Sequence, residues 1–255
     1  MQSKKIEEID RNFTVTTNGN ERFTYFNIVE AIMKEKETFY DDSPEVIRKD
    51  KIIDIFHISG FPWLNSNVPV LNTIFSENSD ENSKNPDVQN KSNDIMKLKE
   101  SNVTLYNTPF CRLDILSLEK FNSGLQYLAW LTSGGVIRFA SDTDSIALKV
   151  KLISKYDMAH MPRTGSAGFD LYIGKGKNKK FIKTTKPDCQ QVEYEAVFEG
   201  INPKKEMQEW TLNMPLYNGV QELEIGILPG SRIEKPTPYA IEKPIVFYGS
   251  SITQG

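Results

Sequence analysis

The sequence predicts a mainly β protein, built as an antiparallel β-sandwich of jelly-roll-like type. Three observations favour this class. Apolar and polar residues alternate with a period of two in several short segments, turn residues separate those segments, and few helical patterns are long enough to connect parallel strands. A period of two places one set of side chains on a core face and the other in water. With 255 residues, the chain has room for one or two domains.

The strand patterns are clearest in residues 146–152, 192–198 and 222–227. Turn sequences such as Ser133-Gly134-Gly135 and Asn218-Gly219 separate the candidate strands. A helix is plausible from residue 27 to about residue 36. The further segments expected as strands are residues 13–17, 22–26, 52–58, 126–130, 136–140, 169–173 and 210–213.

Residues 76–94 have a different composition. The nineteen positions hold one hydrophobe, Val88, with five Asn, four Ser and seven charged residues among the rest. Such a segment buries too little apolar surface to offset an ordering entropy of about 1–2 kcal/mol per residue. We therefore expect a disordered surface loop inserted in the sandwich, with a functional lid as the alternative.

The chain changes character near residue 235. Residues 235–243 have the proline spacing of an extended linker, and residues 244–248 (Pro-Ile-Val-Phe-Tyr) form an apolar run without alternation. Such a run is typical of a strand covered on both faces, as in a parallel α/β sheet. The sequence thus predicts a sandwich domain over residues 1–234, a linker over residues 235–243, and the start of an incomplete second domain over residues 244–255.

Composition and charge narrow the range of partners. The net charge of −3 gives no indication of a nucleic-acid partner or of a polybasic membrane anchor.

Cys111 and Cys189 lack the spacing of a metal site or a disulfide framework, so both are expected as small buried residues in a reducing compartment. Because no secretory signal or membrane span is evident, we expect a soluble, cytoplasmic chain without a bound metal.

The candidate catalytic residue is Ser251. It lies in Gly249-Ser250-Ser251, directly after the apolar run, and a buried strand that ends in Gly-x-Ser is a common way to present a nucleophile. The elbow of the α/β-hydrolases would require glycine at position 253, which is Thr253. A Gly-Ser-Ser turn is also commonplace as a purely structural element.

Two motifs carry a family resemblance. Residues 249–255 (Gly-Ser-Ser-Ile-Thr-Gln-Gly) resemble the first signature block of SGNH, or GDSL-type, hydrolases, with Ser250 in place of the usual aspartate. Residues 161–172 (Met-Pro-Arg-Thr-Gly-Ser-Ala-Gly-Phe-Asp-Leu-Tyr) look like the Gly-x-Asp-Leu-Tyr hallmark of a β-sandwich domain that precedes the catalytic domain in bacterial SGNH-type esterases. Residues 136–145 are also similar to that domain. The resemblance extends from about residue 107 to residue 255.

The resemblance implies hydrolysis of acyl esters through an acyl-enzyme on Ser251, without a metal or an organic cofactor. Small esters and acylated sugars are the implied substrates, and no substrate-binding residue is assigned. The resemblance also implies a histidine base preceded by an aspartate, and oxyanion donors from a Gly and an Asn, all expected beyond residue 255. His57 and His160 lie upstream, so neither is assigned as the base. We therefore expect a truncated chain that is inactive by itself.

Two other functions remain open. One is a binding module without enzymatic activity, since β-sandwiches often bind carbohydrate through exposed aromatic residues. Its candidates are Trp63, Trp130 and Trp210, although a place in the core is the more common role. The other is a half-enzyme that binds a separate catalytic fragment.

Residues 168–172 are expected to mark the sandwich rather than to form an active site. Self-association into a homo-oligomer is expected through the apolar tail.

Overall fold

The structure, a computed structural model, describes residues 4–5, 22–33, 55–75, 86–155, 158–188, 190–241, 243, 245–247 and 249–254. The helices are α1 (Ile28–Met33), α2 (Leu64–Phe75), α3 (Pro86–Glu100), α4 (Ser123–Leu128), α5 (Arg163–Ala167) and α6 (Ser251–Gln254), with 3-10 helices at Ile115–Lys120 and Gly176–Asn178. The strands are β1 (Lys4–Lys5), β2 (Thr24–Asn27), β3 (His57–Ser59), β4 (Val136–Ser141), β5 (Ile146–Leu152), β6 (Asp170–Ile173), β7 (Lys180–Thr184), β8 (Glu193–Phe198), β9 (Gln208–Asn213), β10 (Val220–Ile227) and β11 (Arg232–Glu234).

The described strands form two antiparallel sheets. The larger sheet has the order β1-β11-β4-β9-β6-β7, with β3 and β11 pairing with successive parts of β4. The smaller sheet has the order β2-β10-β5-β8. The predicted antiparallel β-sandwich is confirmed. Within the described residues, no helix has the length and apolar character needed to cross a membrane.

The core of the sandwich follows from the alternation along each strand. In the larger sheet, Ile137 is opposite Leu212 and Phe139 is opposite Trp210, and all four side chains are buried in the main core. The smaller sheet contributes alternate residues such as Leu148 to the same core. Because burial of each large apolar side chain contributes about 1.5–3 kcal/mol, this shared core holds the two sheets together.

Most of the predicted strands correspond to strands of the structure. Strand β5 has the predicted bounds. Each of the other predicted strand segments that the structure describes also contains a strand, with the exception of residues 126–130. Residues 13–17 and 52–54 lie outside the described residues. The helix expected over residues 27–36 is present as α1 in its described part, where Ile28, Val29, Ala31 and Ile32 are buried, and residues 34–36 lie outside the described residues.

The prediction of a strand at residues 126–130 is wrong, because helix α4 covers residues 123–128. Asn122 accounts for the difference. Its side-chain oxygen accepts a hydrogen bond from the backbone N–H of Leu125 at 3.0 Å, which caps the first turn of the helix.

The expected disordered loop at residues 76–94 is also corrected in part. Residues 86–94 belong to α3, whereas residues 76–85 lie outside the described residues. The helix docks through Ile95 and Leu98, which pack with Val70 and Leu71 of α2 in a second hydrophobic cluster. Ile95 and Leu98 follow residue 94, so the composition of residues 76–94 alone could not predict that this helix packs against the protein.

The C-terminal segment makes no strand in its described part. Ile245, Val246 and Phe247 are 71%, 83% and 81% exposed and have no strand partner among the described residues. An apolar run forms a buried strand only where a neighbouring strand and covering helices exist. The boundaries proposed for the linker and the second domain therefore stay predictions.

Candidate functional site

The candidate nucleophile Ser251 is the first residue of α6 and is exposed. The turn is closed by the carbonyl of Ser250, which accepts hydrogen bonds from the N–H groups of Thr253 at 2.9 Å and Gln254 at 3.3 Å. At Gly249, a Cβ would lie 2.1 Å from Thr253 Oγ1, so a larger residue there would require the Thr253 side chain to move. The Gly-Ser-Ser sequence thus folds into a tight turn that leads directly into a helix.

Three hydrogen bonds attach this turn to loops of the sandwich. The hydroxyl of Tyr217 donates to the carbonyl of Ser251 at 3.1 Å. The side-chain amide of Gln254 donates to the carbonyl of Leu216 at 2.8 Å, and the hydroxyl of Ser133 donates to the carbonyl of Gln254 at 2.8 Å. Ser251 is therefore presented at one end of the sandwich.

The second motif of the sequence, Gly168 to Tyr172, leads from α5 into β6. The N–H of Phe169 donates to Thr185 Oγ1 at 2.8 Å, and the Thr184 hydroxyl donates to the Asp170 carboxylate. Asp170 therefore joins strands β6 and β7, a structural role like the one expected for this motif.

A separate cluster holds the segment that precedes the Ser251 turn. Arg138 Nη2 donates to Glu209 Oε2 at 3.1 Å and to the carbonyl of Thr237 at 2.8 Å, while Glu209 Oε1 accepts from the N–H of Thr237 at 3.0 Å. The Arg138 guanidinium carbon lies 4.2 Å from the centre of the Tyr239 ring, and the ring of His57 meets the same tyrosine edge-on. We call these five residues the clasp: Arg138, Glu209, Thr237, Tyr239 and His57.

The surroundings shift the pKa values of two clasp residues. Burial alone would raise the pKa of Glu209, but the hydrogen bonds from Thr237 and Arg138 outweigh burial and lower it. The pKa of His57 is lowered by burial and then by the positive charges of Arg138 and Lys235. Both shifts favour a charged Glu209 and a neutral His57 at neutral pH.

The structure does not bring a histidine to Ser251. His57 lies on β3 and contacts Tyr239, and His160 is exposed in the turn before α5. In the described part of the chain, no hydrogen bond joins Ser251 to either residue. The arrangement presents a serine hydroxyl at the start of a helix and holds its backbone, and none of the described residues is bonded to it as a histidine base. A base would be needed to activate the hydroxyl at neutral pH.

The other candidates from the sequence lie elsewhere. Trp130 and Trp210 are fully buried, whereas Trp63 is 43% exposed. Cys111 is buried as predicted, and burial raises the pKa of its thiol to about 12. Cys189 lies outside the described residues. No group of three or more His, Cys, Asp or Glu side chains is arranged to bind a metal in the part of the chain described.

Sequence reasoning missed the residues that hold the turn and its linker: Ser133, Arg138, Glu209, Leu216, Tyr217 and Gln254. The only available signals were indirect. Ser133 lies in one predicted turn and Tyr217 directly precedes another. Arg138 lies within residues 136–145 and Gln254 within residues 249–255, both of which the family resemblance already included.

Comparison with known protein families agrees with the motif at residues 161–172. The sequence profile of the GxDLY family, described as the N-terminus of SGNH-hydrolase-type esterases, matches residues 87–233, which is more than half of the chain. No curated protein shows significant similarity to the chain.

Two solved structures are similar to part of the chain. One is a GDSL-like lipase from Bacteroides ovatus, with 25% identity, a TM-score of 0.47, and coverage of 53% of this chain and 39% of the lipase. The other is the salicylyl-acyltransferase of a tetracycline biosynthetic pathway, with 17% identity, a TM-score of 0.40, and coverage of 51% of this chain and 34% of the transferase. The chain thus spans well under half the length of either protein. Because the profile covers more than half of the chain and includes the Gly168–Tyr172 motif, the chain belongs to the GxDLY family, the domain found at the N-terminus of SGNH-hydrolase-type esterases.

Proposed function

We propose that this chain is the N-terminal part of an SGNH-type serine esterase and that Ser251 is its nucleophile. The observation that carries the proposal is the position of Ser251, which begins a helix after an apolar segment and is attached to loops of a GxDLY sandwich. The substrates proposed are small esters, including acylated sugars. No metal or organic cofactor is part of the proposal.

The proposed reaction is acyl transfer in two steps. The Ser251 hydroxyl oxygen attacks the ester carbonyl, its proton passes to a base, and the alcohol leaves with a proton as the acyl-enzyme forms. Water then attacks the acyl-enzyme, releases the carboxylic acid and restores the hydroxyl. We propose that the base, its aspartate and the oxyanion donors come from protein beyond these 255 residues, as the order of motifs in SGNH hydrolases implies.

A chimera tests the chemistry of this proposal. Residues 1–255 would be joined to the part of the Bacteroides ovatus GDSL-like lipase that follows its own nucleophile block. We expect hydrolysis of p-nitrophenyl acetate that is abolished by Ser251→Ala and retained by the matched variant Ser250→Ala, because Ser250 acts in the turn through its backbone carbonyl. Hydrolysis that survives Ser251→Ala would contradict the assignment of the nucleophile.

The coding sequence that follows codon 255 gives an independent test. We expect it, or an adjacent reading frame, to encode a strand with an oxyanion Gly, a later Asn, and an Asp-x-x-His block. A downstream sequence without these elements would contradict the proposal.

A carbohydrate-binding module is the second candidate function, favoured by one observation. The rings of Tyr172 and Phe181 pack edge to face at 5.5 Å on neighbouring strands, and Phe181 is largely exposed. Exposed aromatic rings are the usual contact surface for sugars. If this function is correct, the chain binds soluble oligosaccharides in calorimetry and Phe181→Ala abolishes that binding, while Phe121→Ala, at another exposed aromatic position, leaves it intact.

A further inference from the structure

Tyr217 connects the two motifs that the sequence singled out. It lies in the loop between β9 and β10, where its backbone N–H donates to the carbonyl of Ser166 in α5 at 2.9 Å and its hydroxyl donates to the carbonyl of Ser251 at 3.1 Å. We infer that Tyr217 is a positioning residue through which the Gly168–Tyr172 motif fixes the backbone of the Ser251 turn. This inference rests on the function proposed for Ser251.

On the motif side, the position of α5 is set by close packing. A Cβ at Gly168 would lie 2.3 Å from the carbonyl oxygen of Thr164 and 2.9 Å from that of Thr185, so only glycine allows the chain to pass there. Phe169 and Thr185 exchange hydrogen bonds directly after this point, with the Thr185 N–H donating to the Phe169 carbonyl at 2.9 Å. The motif therefore holds Ser166, which is itself buried, at a fixed place against Tyr217.

The loop that carries Tyr217 is braced on its other side. The Thr132 hydroxyl donates to the carbonyls of Pro215 at 3.0 Å and Asn218 at 3.1 Å. Asn218 is fully buried, and its side-chain amide donates to the carbonyl of Ser154 at 3.0 Å. The backbone of Tyr217 is thus held by neighbours before and after it, so the point from which its side chain extends toward Ser251 is fixed.

On the side of the turn, the Tyr217 hydroxyl binds the carbonyl of the candidate nucleophile itself. That carbonyl belongs to the peptide group between Ser251 and Ile252, so the hydrogen bond limits rotation of the backbone that carries the Ser251 hydroxyl. A misplacement of a reacting group by about 1 Å can cost about 100-fold in rate. The consequence of losing this contact should therefore be local to the turn and visible in its backbone.

The test compares the purified 255-residue chain with its Tyr217→Phe variant, using amide hydrogen exchange measured by NMR. The variant keeps the ring and the backbone N–H and loses only the hydroxyl. We expect the amides of Thr253 and Gln254 to exchange roughly 2- to 10-fold faster, the change that follows from loss of one neutral hydrogen bond. The amide of residue 217, bonded to Ser166, should stay protected in both proteins.

Tyr172→Phe is the matched control, because it removes a hydroxyl from a tyrosine of the motif that contacts Phe181 through its ring. Exchange at Thr253 and Gln254 should not change in this control. The inference is overturned if these two amides exchange equally fast in the wild type and in Tyr217→Phe, or if the amide of residue 217 is unprotected in the wild type. An equal acceleration by Tyr172→Phe also overturns it.

Kinetics separate this inference from the proposed function. In the active chimera, Tyr217→Phe should lower kcat and leave KM unchanged, since the contact acts on the backbone of the nucleophile and not on the substrate. An inactive chimera with faster amide exchange in Tyr217→Phe counts against the proposed function alone. An active chimera whose kcat is unchanged by Tyr217→Phe counts against the positioning role alone.

Discussion

Arg138 and Glu209 form an ion pair at 3.1 Å between the neighbouring strands β4 and β9, with only 6% and 12% of their side chains exposed. Both residues lie on the face of the larger sheet opposite the main core, where β4 and β9 pair Arg138 with Thr211 and Ala140 with Glu209. Thr237 and Tyr239 cover the pair. The segment that precedes the Ser251 turn is thus bound to the sandwich through a buried charge pair.

We expect Glu209→Ala to lower the free energy of unfolding by about 3–5 kcal/mol, because it leaves the Arg138 guanidinium buried without its carboxylate. Urea denaturation measures the change. The control is Glu222→Ala, which removes an ion pair with Lys151 at 3.0 Å on the surface and should change stability little. If both variants lower the free energy of unfolding by similarly small amounts, the Arg138–Glu209 pair stabilises the fold no more than a surface ion pair does.

The clasp should also make the stability of the chain depend on pH. The pKa of His57 is lowered in the folded state from its usual 6.5, and the pKa of Glu209 is lowered from its usual 4.5. In both cases the unfolded chain binds the proton more tightly, so acid favours unfolding. Lys175, 3.9 Å from Glu209, and Lys235 near His57 add to the positive charge of Arg138 at these groups.

The free energy of unfolding should accordingly begin to fall below about pH 6.5 through His57 and fall again below about pH 4.5 through Glu209. Urea titrations at a series of pH values measure both steps. His57→Gln should remove the first step and leave the second, and Glu209→Gln should do the reverse. If neither variant alters the profile, the acid sensitivity comes from other groups.

Gly168→Ala should be destabilising by about 1–3 kcal/mol, since its Cβ would overlap two backbone carbonyl oxygens that cannot move aside. Gly165→Ala is the matched control within α5, where the Cβ would make ordinary contacts at 3.4 and 3.5 Å with the Met161 side chain. This control should leave stability unchanged or raise it by up to about 1 kcal/mol. Thermal unfolding followed by circular dichroism compares the two, and equal melting temperatures would contradict the packing argument.

The strands of the sandwich could be predicted because their alternation is local. In β5, Leu148 and Val150 face the core and Lys149 and Lys151 do not, and this pattern is visible within seven residues of sequence. At α4 the same reasoning failed. The composition of this segment also suits a strand, but the side chain of Asn122 caps the first turn and so favours a helix.

The site could be predicted only as far as its motif. Ser251 was visible from its neighbours in the sequence, but its anchors Ser133 and Tyr217 lie in loops that have no periodic pattern. The Arg138–Glu209 pair was hidden for another reason. Charged residues that alternate with apolar ones in a strand indicate a face turned away from the core. Whether a later segment covers that face depends on contacts between residues far apart in the sequence: Thr237 lies 28 positions from Glu209 and 99 positions from Arg138.

The 255-residue chain should hydrolyse p-nitrophenyl acetate no faster than its Ser251→Ala variant. The reason is that, among the described residues, no histidine is bonded to Ser251, and loss of the base from a serine hydrolase removes orders of magnitude in rate. The absorbance of released p-nitrophenolate, followed at a high concentration of the chain, measures the residual rate of hydrolysis. Turnover that depends on Ser251 and is abolished by His57→Gln or His160→Gln would show that one of these histidines acts as the base.

The last prediction separates the clasp from the tail that follows it. Residues 245–247 and Ile252 are largely exposed, and the described tail after residue 241 is attached mainly by hydrogen bonds at the surface. Deletion of residues 242–255 should therefore leave the melting temperature nearly unchanged. Because exposed apolar residues favour association, the same deletion should reduce any self-association seen by sedimentation.

Deletion of residues 235–255 should behave differently, since it also removes Thr237 and Tyr239 from the Arg138–Glu209 pair. Water then reaches the pair, and the lost contacts should cost about 1–3 kcal/mol. In a chain of this size, each kcal/mol corresponds to about 2–4 °C in melting temperature. Equal melting temperatures for the two deletions would mean that the clasp does not stabilise the sandwich. Residues 235–241 would then be an extended linker that adds no stability to the sandwich, as the proline spacing alone predicts.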